Sequence, residues 1–300
     1  MREPPPASEL QRLAAVLERL EARLPAIAPT DFASIAFRWR KRRLLGIEQG
    51  ELQAVMHPAL IAFDDLKHVD LQKEQIRGNT ERFVRGLPAN NVLLTGARGT
   101  GKSSLIRACL HAFAGEGLRL IEVDKRDLID VADIVDRVAA RSERFIVFCD
   151  DLSFDTSEVG YKELKAALDG SIAGAAENVL VYASSNRRHL MPELMRDNLG
   201  TRYDDDGEIH PTEAVEERVS LSERFGLWLS FYPFRQDDYL DIASHWLARF
   251  GLREEEIAEA RAEALQFALQ RGSRSGRVAL QFARHWAGQR RLANGGGAVR

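Results

Sequence analysis

Three hundred residues at 33.7 kDa make about two domains, or one large domain with a lid. With 45% apolar residues a sizeable core is within reach. Forty-two basic against 45 acidic residues leave a net charge of -3, which excludes a chain that coats nucleic acid by bulk charge and leaves only local basic patches for that role.

Two cysteines, Cys109 and Cys149, exclude a disulfide scaffold and point to a reducing compartment. No apolar run reaches the roughly 18 residues of a membrane span, and the first residues lack the apolar stretch of a signal peptide. A cytoplasmic protein without membrane contact is the expectation.

After Pro4-Pro5-Pro6, the segment from Ser8 to Arg23 reads as a helix, with Leu10, Leu13, Leu17, Leu20 and Leu24 on one seam. The seam either packs on the chain's own body or takes a partner helix. A second helix is expected to carry Arg38, Arg40, Lys41, Arg42 and Arg43 around Trp39. This cluster is either an acid-paired surface or a place where cations hold phosphates while the indole stacks on a base. Residues 1–60 are thus expected to form a helical N-terminal segment.

From residue 61 to 233 strand and helix patterns alternate. Val92–Thr95, Leu118–Val123, Phe145–Cys149, Val179–Ala183 and Leu227–Tyr232 read as strands. Between them, Lys102–Phe113, Val131–Ala140 and Tyr161–Ala173 read as helices. Buried apolar strands alternating with helices predict a three-layer α/β domain on a parallel sheet. Beyond Pro233 only helices follow, at about Asp237–Phe250, Glu254–Gln270 and Ser275–Arg291. They form an expected lid over residues 234–292, with a disordered tail at 293–300.

The strongest chemical signal is Gly96-Ala97-Arg98-Gly99-Thr100-Gly101-Lys102-Ser103, a full GxxxxGK[ST] match between a strand and a helix. Its glycines let backbone N–H groups turn toward phosphate oxygens, and Ser104 continues the phosphate-facing helix start. Lys102 would reach the β- and γ-phosphates, and Ser103 would ligate Mg²⁺.

A second signal is the apolar strand delivering Asp150 and Asp151 at its C-terminal end, where ligands gather in open parallel sheets. Asp150 would hold Mg²⁺ and Asp151 would polarise the attacking water. Cys149 alternates away from them into the core. A third strand ends in Ser184-Ser185-Asn186. If it lies between the other two, Asn186 can reach the γ-phosphate or the water; otherwise these residues cap a helix. Asp204-Asp205-Asp206-Gly207-Glu208 reads as a solvated acidic loop, and no metal site is assigned to it.

P-loop, acidic pair, polar strand end and helical lid in this order resemble the AAA+ ATPases, in which they are Walker A, Walker B and sensor 1. The resemblance implies the strand order 5-1-4-3-2, ATP with Mg²⁺ as ligands, and self-association into a ring or arc. Asp64–Asp70 is similar to the segment bordering the adenine pocket in that family. Ser222–Trp228 is similar to the box that carries an arginine finger in the bacterial replication initiator, with Arg224 as the finger and Arg218 second. Gly272–Arg277 lies where sensor 2 is placed, with Arg277 ahead of Arg274.

Together with Arg77-Gly78-Asn79-Thr80, these segments resemble a family of uncharacterised bacterial AAA+-like proteins. Two departures stand out. Asp151 replaces the usual Glu, which shortens the reach to water and implies slow turnover. No aromatic–apolar–Gly pore motif follows the second strand, where the chain reads Val123-Asp124-Lys125-Arg126-Asp127. The expected function is an ATP hydrolase that assembles or remodels an unknown protein partner, using Lys102, Asp151, Asn186 and Arg224. The alternatives are a switch or scaffold with little hydrolysis, or an initiator- or loader-like ATPase that binds nucleic acid through Arg38–Arg43.

Overall fold

The structure is a computed structural model that describes residues 11–12, 14–16, 19, 30–44, 47–152, 164–165, 168, 176–186, 202–203, 209–210 and 223–293. Residues 1–31 form a unit of their own, in which residues 11, 12, 14–16 and 19 are helical and exposed. The leucines of the N-terminal seam and the tail from residue 294 lie outside the described residues.

Residues 32 onward form the second unit. Its strands are β1 (Ala36–Leu44), β2 (Ile47–Ala54), β3 (Val92–Gly96), β4 (Leu118–Val123), β5 (Arg144–Cys149), β6 (Val179–Ser185), the two-residue pair β7 (Arg202–Tyr203) and β8 (Ile209–His210), and β9 (Leu227–Phe231). The helices are α1 (Asp70–Val84), α2 (Lys102–Phe113), α3 (Val131–Val138), α4 (Gln236–Arg249), α5 (Glu254–Gln270) and α6 (Gly276–Ala293).

Seven strands form one sheet in the order β2-β1-β4-β5-β6-β3-β9. Within this sheet, among the described residues, β1 and β2 pair antiparallel and every other pairing is parallel. Setting the hairpin aside, the five later strands run 2-3-4-1-5, the expected order in reverse. The sensor strand β6 lies between the P-loop strand β3 and the acidic strand β5. Buried residues of α1 and α2 cover one face, among them Ile76, Phe83, Leu105 and Ile106. Val131, Ile134 and Val138 of α3 cover the other. Of the expected helix over Tyr161–Ala173, Leu164, Lys165 and Leu168 are described, and all three are helical.

The cationic segment is a correction. Residues Arg38–Arg43 lie on β1 rather than in a helix, so the sheet begins inside the segment read as helical. Their charge density suggested an exposed helix, but Phe37 and Trp39 alternate with Arg38 and Arg40, which is the period of a half-buried strand.

Trp39 is buried, and its Nε1 donates to Asp130 Oδ2 at 2.8 Å. It is therefore not available to stack on a base. Arg38 pairs with Glu122 at 2.7 Å, Lys41 with Asp130 at 2.9 Å and Arg42 with Glu51 at 2.6 Å. The acid-paired surface is the arrangement found.

Gly50 is the residue that lets the indole lie across β2. A Cβ there would stand 1.9 Å from Trp39 Cζ2. Gly50→Ala is accordingly expected to cost about 1–3 kcal/mol through overpacking, read as a lower midpoint in thermal unfolding. An unchanged midpoint would show that the hairpin can shift without loss.

The three C-terminal helices make a separate apolar cluster. Ala260, Ala264 and Ala268 recur every fourth residue on α5 and let Tyr239, Phe282 and Trp286 approach closely. Phe234 packs against both this cluster and the sheet, at the junction between core and lid.

Candidate functional site

The loop from β3 into α2 holds a conformation that side chains would obstruct. Gly96, Gly99 and Gly101 have φ of 124°, 73° and 102°. At Gly96 a Cβ would fall 1.9 Å from the Phe231 carbonyl oxygen. The loop is held from three sides. Ala97 N donates to Phe231 O at 3.2 Å, Thr100 Oγ1 to Ala97 O at 2.8 Å, and Gly276 N, at the start of α6, to Gly99 O at 2.8 Å. The first turn of α2 thus faces a fixed cradle with its unpaired N–H groups and positive dipole end.

Lys102 opens that helix and is buried. Its ammonium donates to Gly96 O at 2.9 Å, Ala97 O at 2.7 Å and Asn186 Oδ1 at 3.0 Å. Burial lowers its pKa to about 8; Asp150 and Asp151 pull it back up, while Arg277 and Arg98 push it down.

Strand alternation places Phe148 and Asp150 on the α2 face and Cys149 in the core of the opposite face. Burial pushes the Cys149 thiol far above its usual range, so it is inert. Asp150 Oδ1 receives the hydroxyl of Ser103 at 2.6 Å and that of Ser184. Asp151 stands in the left-handed region with φ of 54°. Its carboxylate accepts from Asn186 Nδ2 at 2.6 Å. Because Asn186 receives Lys102 on its oxygen and gives its NH₂ to Asp151, its amide orientation is fixed.

These groups surround one cavity of about 550 Å³. The loop residues Arg98–Ser104, together with Asp150, Asp151 and Asn186, form part of its wall. Gly96 and Ala97 act from behind by holding Lys102. Ser184 lines the cavity beside Asp150, and further wall comes from Ile61, Asp65, Leu66, Lys67 and Val69 and, on the lid side, from Ile242, Trp246, Arg277 and Leu280. Of the two lid arginines considered, Arg277 is in the wall and Arg274 is not.

Arg224 is half-buried and lies elsewhere. β9 runs parallel to β3 with Leu227 beside Val92 and Phe231 beside Gly96. Arg224, just before β9, is therefore at the end of the parallel strands opposite the P-loop. Arg218 and Asp204–Glu208 lie outside the described residues. Among the described residues no cluster of His, Cys, Asp and Glu could hold a metal without further ligands, and no helix is long and apolar enough to cross a membrane.

Sequence reasoning missed how the segment before α1 is joined to the lid. Buried Asp65 meets His245 at 3.0 Å and Arg249 at 3.2 Å, and His68 lies 3.3 Å from Asp238 and 3.4 Å from Asp241. Asp238, Asp241, His245 and Arg249 follow spacings of three and four along α4. That charged stripe was the available signal.

A five-strand parallel core in this order, a P-loop, an acidic strand end and a helical lid define a P-loop ATPase fold of the AAA+ class. Within that class the chain belongs to the family described as a protein of unknown function, DUF815, whose profile matches residues 33–290.

A solved structure agrees on the fold. A single-site variant of Thermotoga maritima RuvB matches at 15% identity with a TM-score of 0.50, covering 74% of this chain and 63% of that one. The Escherichia coli MS115-1 HORMA:CdnC:Trip13 complex matches at 13% identity and a TM-score of 0.45, covering 74% and 89%. The chain thus spans less than two thirds of the RuvB chain. No curated protein matches it by sequence.

Proposed function

We propose that this protein binds Mg²⁺-ATP and hydrolyses it between neighbouring copies of itself, and that the cycle drives assembly or remodelling of a partner. The observation that carries this reading is the unbroken hydrogen-bonded series Ser103, Asp150, Ser184, Asp151, Asn186, Lys102 along one wall of the cavity. It supplies every group that phosphoryl transfer to water requires within one protomer except an external cation.

The residues fit the ligands. A glycine cradle at a helix N-terminus suits a polyphosphate. A serine hydroxyl beside a carboxylate is a hard-oxygen pair of the kind Mg²⁺ takes while keeping several waters. When bound, Mg²⁺ would neutralise charge on the β- and γ-oxygens. Ser103 and Asp150 would hold it, Lys102 would donate to the same phosphates, Asp151 would orient and polarise the attacking water, and Asn186 would hold that water or a γ-oxygen. Arg277 reaches the cavity from the lid, so nucleotide contact there would couple hydrolysis to lid position.

Arg224 is proposed to serve the cavity of an adjacent copy, because its own lies at the opposite end of the strands. Phosphate release from Mg²⁺-ATP, followed over a wide range of protein concentration, tests this. Specific activity should rise with concentration. Arg224→Ala should lower it about 10³-fold, within the range known for such arginines, while nucleotide binding survives. Activity independent of concentration would reject the shared site. Nucleotide binding without release would replace hydrolysis by a nucleotide-dependent switch.

A further inference from the structure

We infer that Ser184 is the positioning residue of this site: it sets the Asp150 carboxylate for the metal and holds the left-handed turn that presents Asp151. The inference rests on the reading of Asp150 as a metal-holding group and extends it to a residue of the polar strand end that had no role of its own.

The register explains why Ser184 is the residue in place. β5 and β6 pair up to Cys149 opposite Ala183, so the next step along both strands sets Ser184 across from Asp150. Both side chains face α2, where Ser103 lies in the first turn. Ser184 is buried, and a buried hydroxyl needs partners. It donates to Asp150 Oδ1 and accepts from Asp151 N at 3.2 Å. Its carbonyl receives Leu152 N at 2.6 Å. Three consecutive residues, Asp150 to Leu152, are thus fastened to a single strand residue.

The consequence for the site follows from donor placement. Ser103, Ser184 and the amide of Asp151 all act on Oδ1 of Asp150. Oδ2 has no hydrogen bond to the described residues. With Oδ1 held, the rotamer of Asp150 is fixed and Oδ2 is the oxygen left for a metal-bound water. Ser103 cannot do this alone, since its hydroxyl is itself a proposed metal ligand and would be drawn away on loading. Ser184 is buried in the cavity wall and is not itself proposed as a metal ligand, so it holds Asp150 through that change. Partners behind metal ligands typically matter by 10–100-fold in metal affinity or activity.

The test compares Ser184→Ala, Ser184→Cys and Ser184→Thr in the full-length protein, with nucleotide binding titrated against Mg²⁺ and phosphate release measured at saturating ATP. Ser184→Cys preserves side-chain volume, so it controls for a cavity or misfolding in the alanine variant. The expected result is a Mg²⁺ requirement raised roughly 10-fold or more in the Ala and Cys variants. Their affinity for ATP in chelator should match the wild type, and Ser184→Thr, which keeps the hydroxyl, should restore the Mg²⁺ response. Wild-type Mg²⁺ dependence in Ser184→Cys would overturn the inference while leaving the ATPase reading intact. Wild-type protein with no Mg²⁺-dependent binding would instead overturn the ATPase reading itself.

Discussion

Lys102→Ala is expected to weaken ATP binding by about 100-fold or more, the scale of removing one partner from a desolvated charge pair, and to bring phosphate release down to background. The ammonium is buried against three oxygens within 3.0 Å, so no neighbouring cation can take its position. Arg98 and Arg277 both line the cavity, but each already disfavours a charged Lys102. They therefore mark a positive field that attracts polyphosphate, in which Lys102 makes the short contacts.

The same burial gives a pH signature. With the pKa lowered to about 8, Lys102 is charged at neutral pH and loses its proton above that value. Phosphate favours the charged form, so ATP affinity should be constant below about pH 7.5 and fall up to tenfold per unit above pH 8. In Lys102→Ala this dependence should vanish. Folding stability carries the opposite slope. Between pH 8 and 10.5 the unfolded lysine holds a proton that the folded one has lost, so the nucleotide-free protein gains stability from this group as pH rises through that window. Isothermal titration across pH 7–10 separates the two trends. A flat affinity profile in the wild type would mean that Lys102 does not carry the phosphate contact.

What the sequence revealed and what it concealed divide along a physical line. The P-loop, the Asp150 strand and the helices of the lid are local patterns: apolar strands of period two, helices of period 3.6, and glycines where backbone must turn. Their order along the chain carried the resemblance to the AAA+ ATPases, and the sheet order was what that resemblance implied. The β1–β2 hairpin was hidden because its exposed positions are almost all charged, and charge density dominated the alternation of Phe37 and Trp39. The burial of Phe37 and Trp39 comes from residues far along the chain, among them Ile121, Leu128 and Ile134, with Asp130 taking the indole N–H. The tie between Asp65 and the His245–Arg249 pair joins residues 180 positions apart or more, and Ser184 became distinctive only when strand register set it opposite Asp150.

The register also bears on Asp151, the first of the two departures from the AAA+ pattern. A glutamate at residue 151 would reach further toward water, and from sequence the shorter Asp151 looks like a loss. The backbone gives a different account. At φ of 54° an L-residue is in the left-handed region, where Asn and Asp are tolerated and longer side chains cost roughly 1–2 kcal/mol. The turn is imposed by Ser184, whose hydroxyl and carbonyl take the N–H groups of Asp151 and Leu152. From that turn the short carboxylate already meets Asn186 at 2.6 Å. An extra methylene would change this contact with Asn186, and Asn186 in turn holds Lys102.

Asp151→Glu is therefore expected to turn over ATP no faster than the wild type and to unfold a few degrees lower, at about 2–4 °C per kcal/mol for a chain of this size. Asp151→Asn keeps the shape and the turn but removes the charge that polarises water. It should bind ATP normally, keep its melting temperature and lose about 10²–10⁴-fold in hydrolysis, the usual contribution of a positioned base. Asp151→Gly relieves the turn altogether and should be at least as stable as the wild type and equally inactive. The stability order Gly, Asp and Asn, then Glu, set against the activity order Asp, Glu, then Asn and Gly, separates backbone from charge. A faster Asp151→Glu with an unchanged melting temperature would show that reach, not the left-handed turn, limits this site.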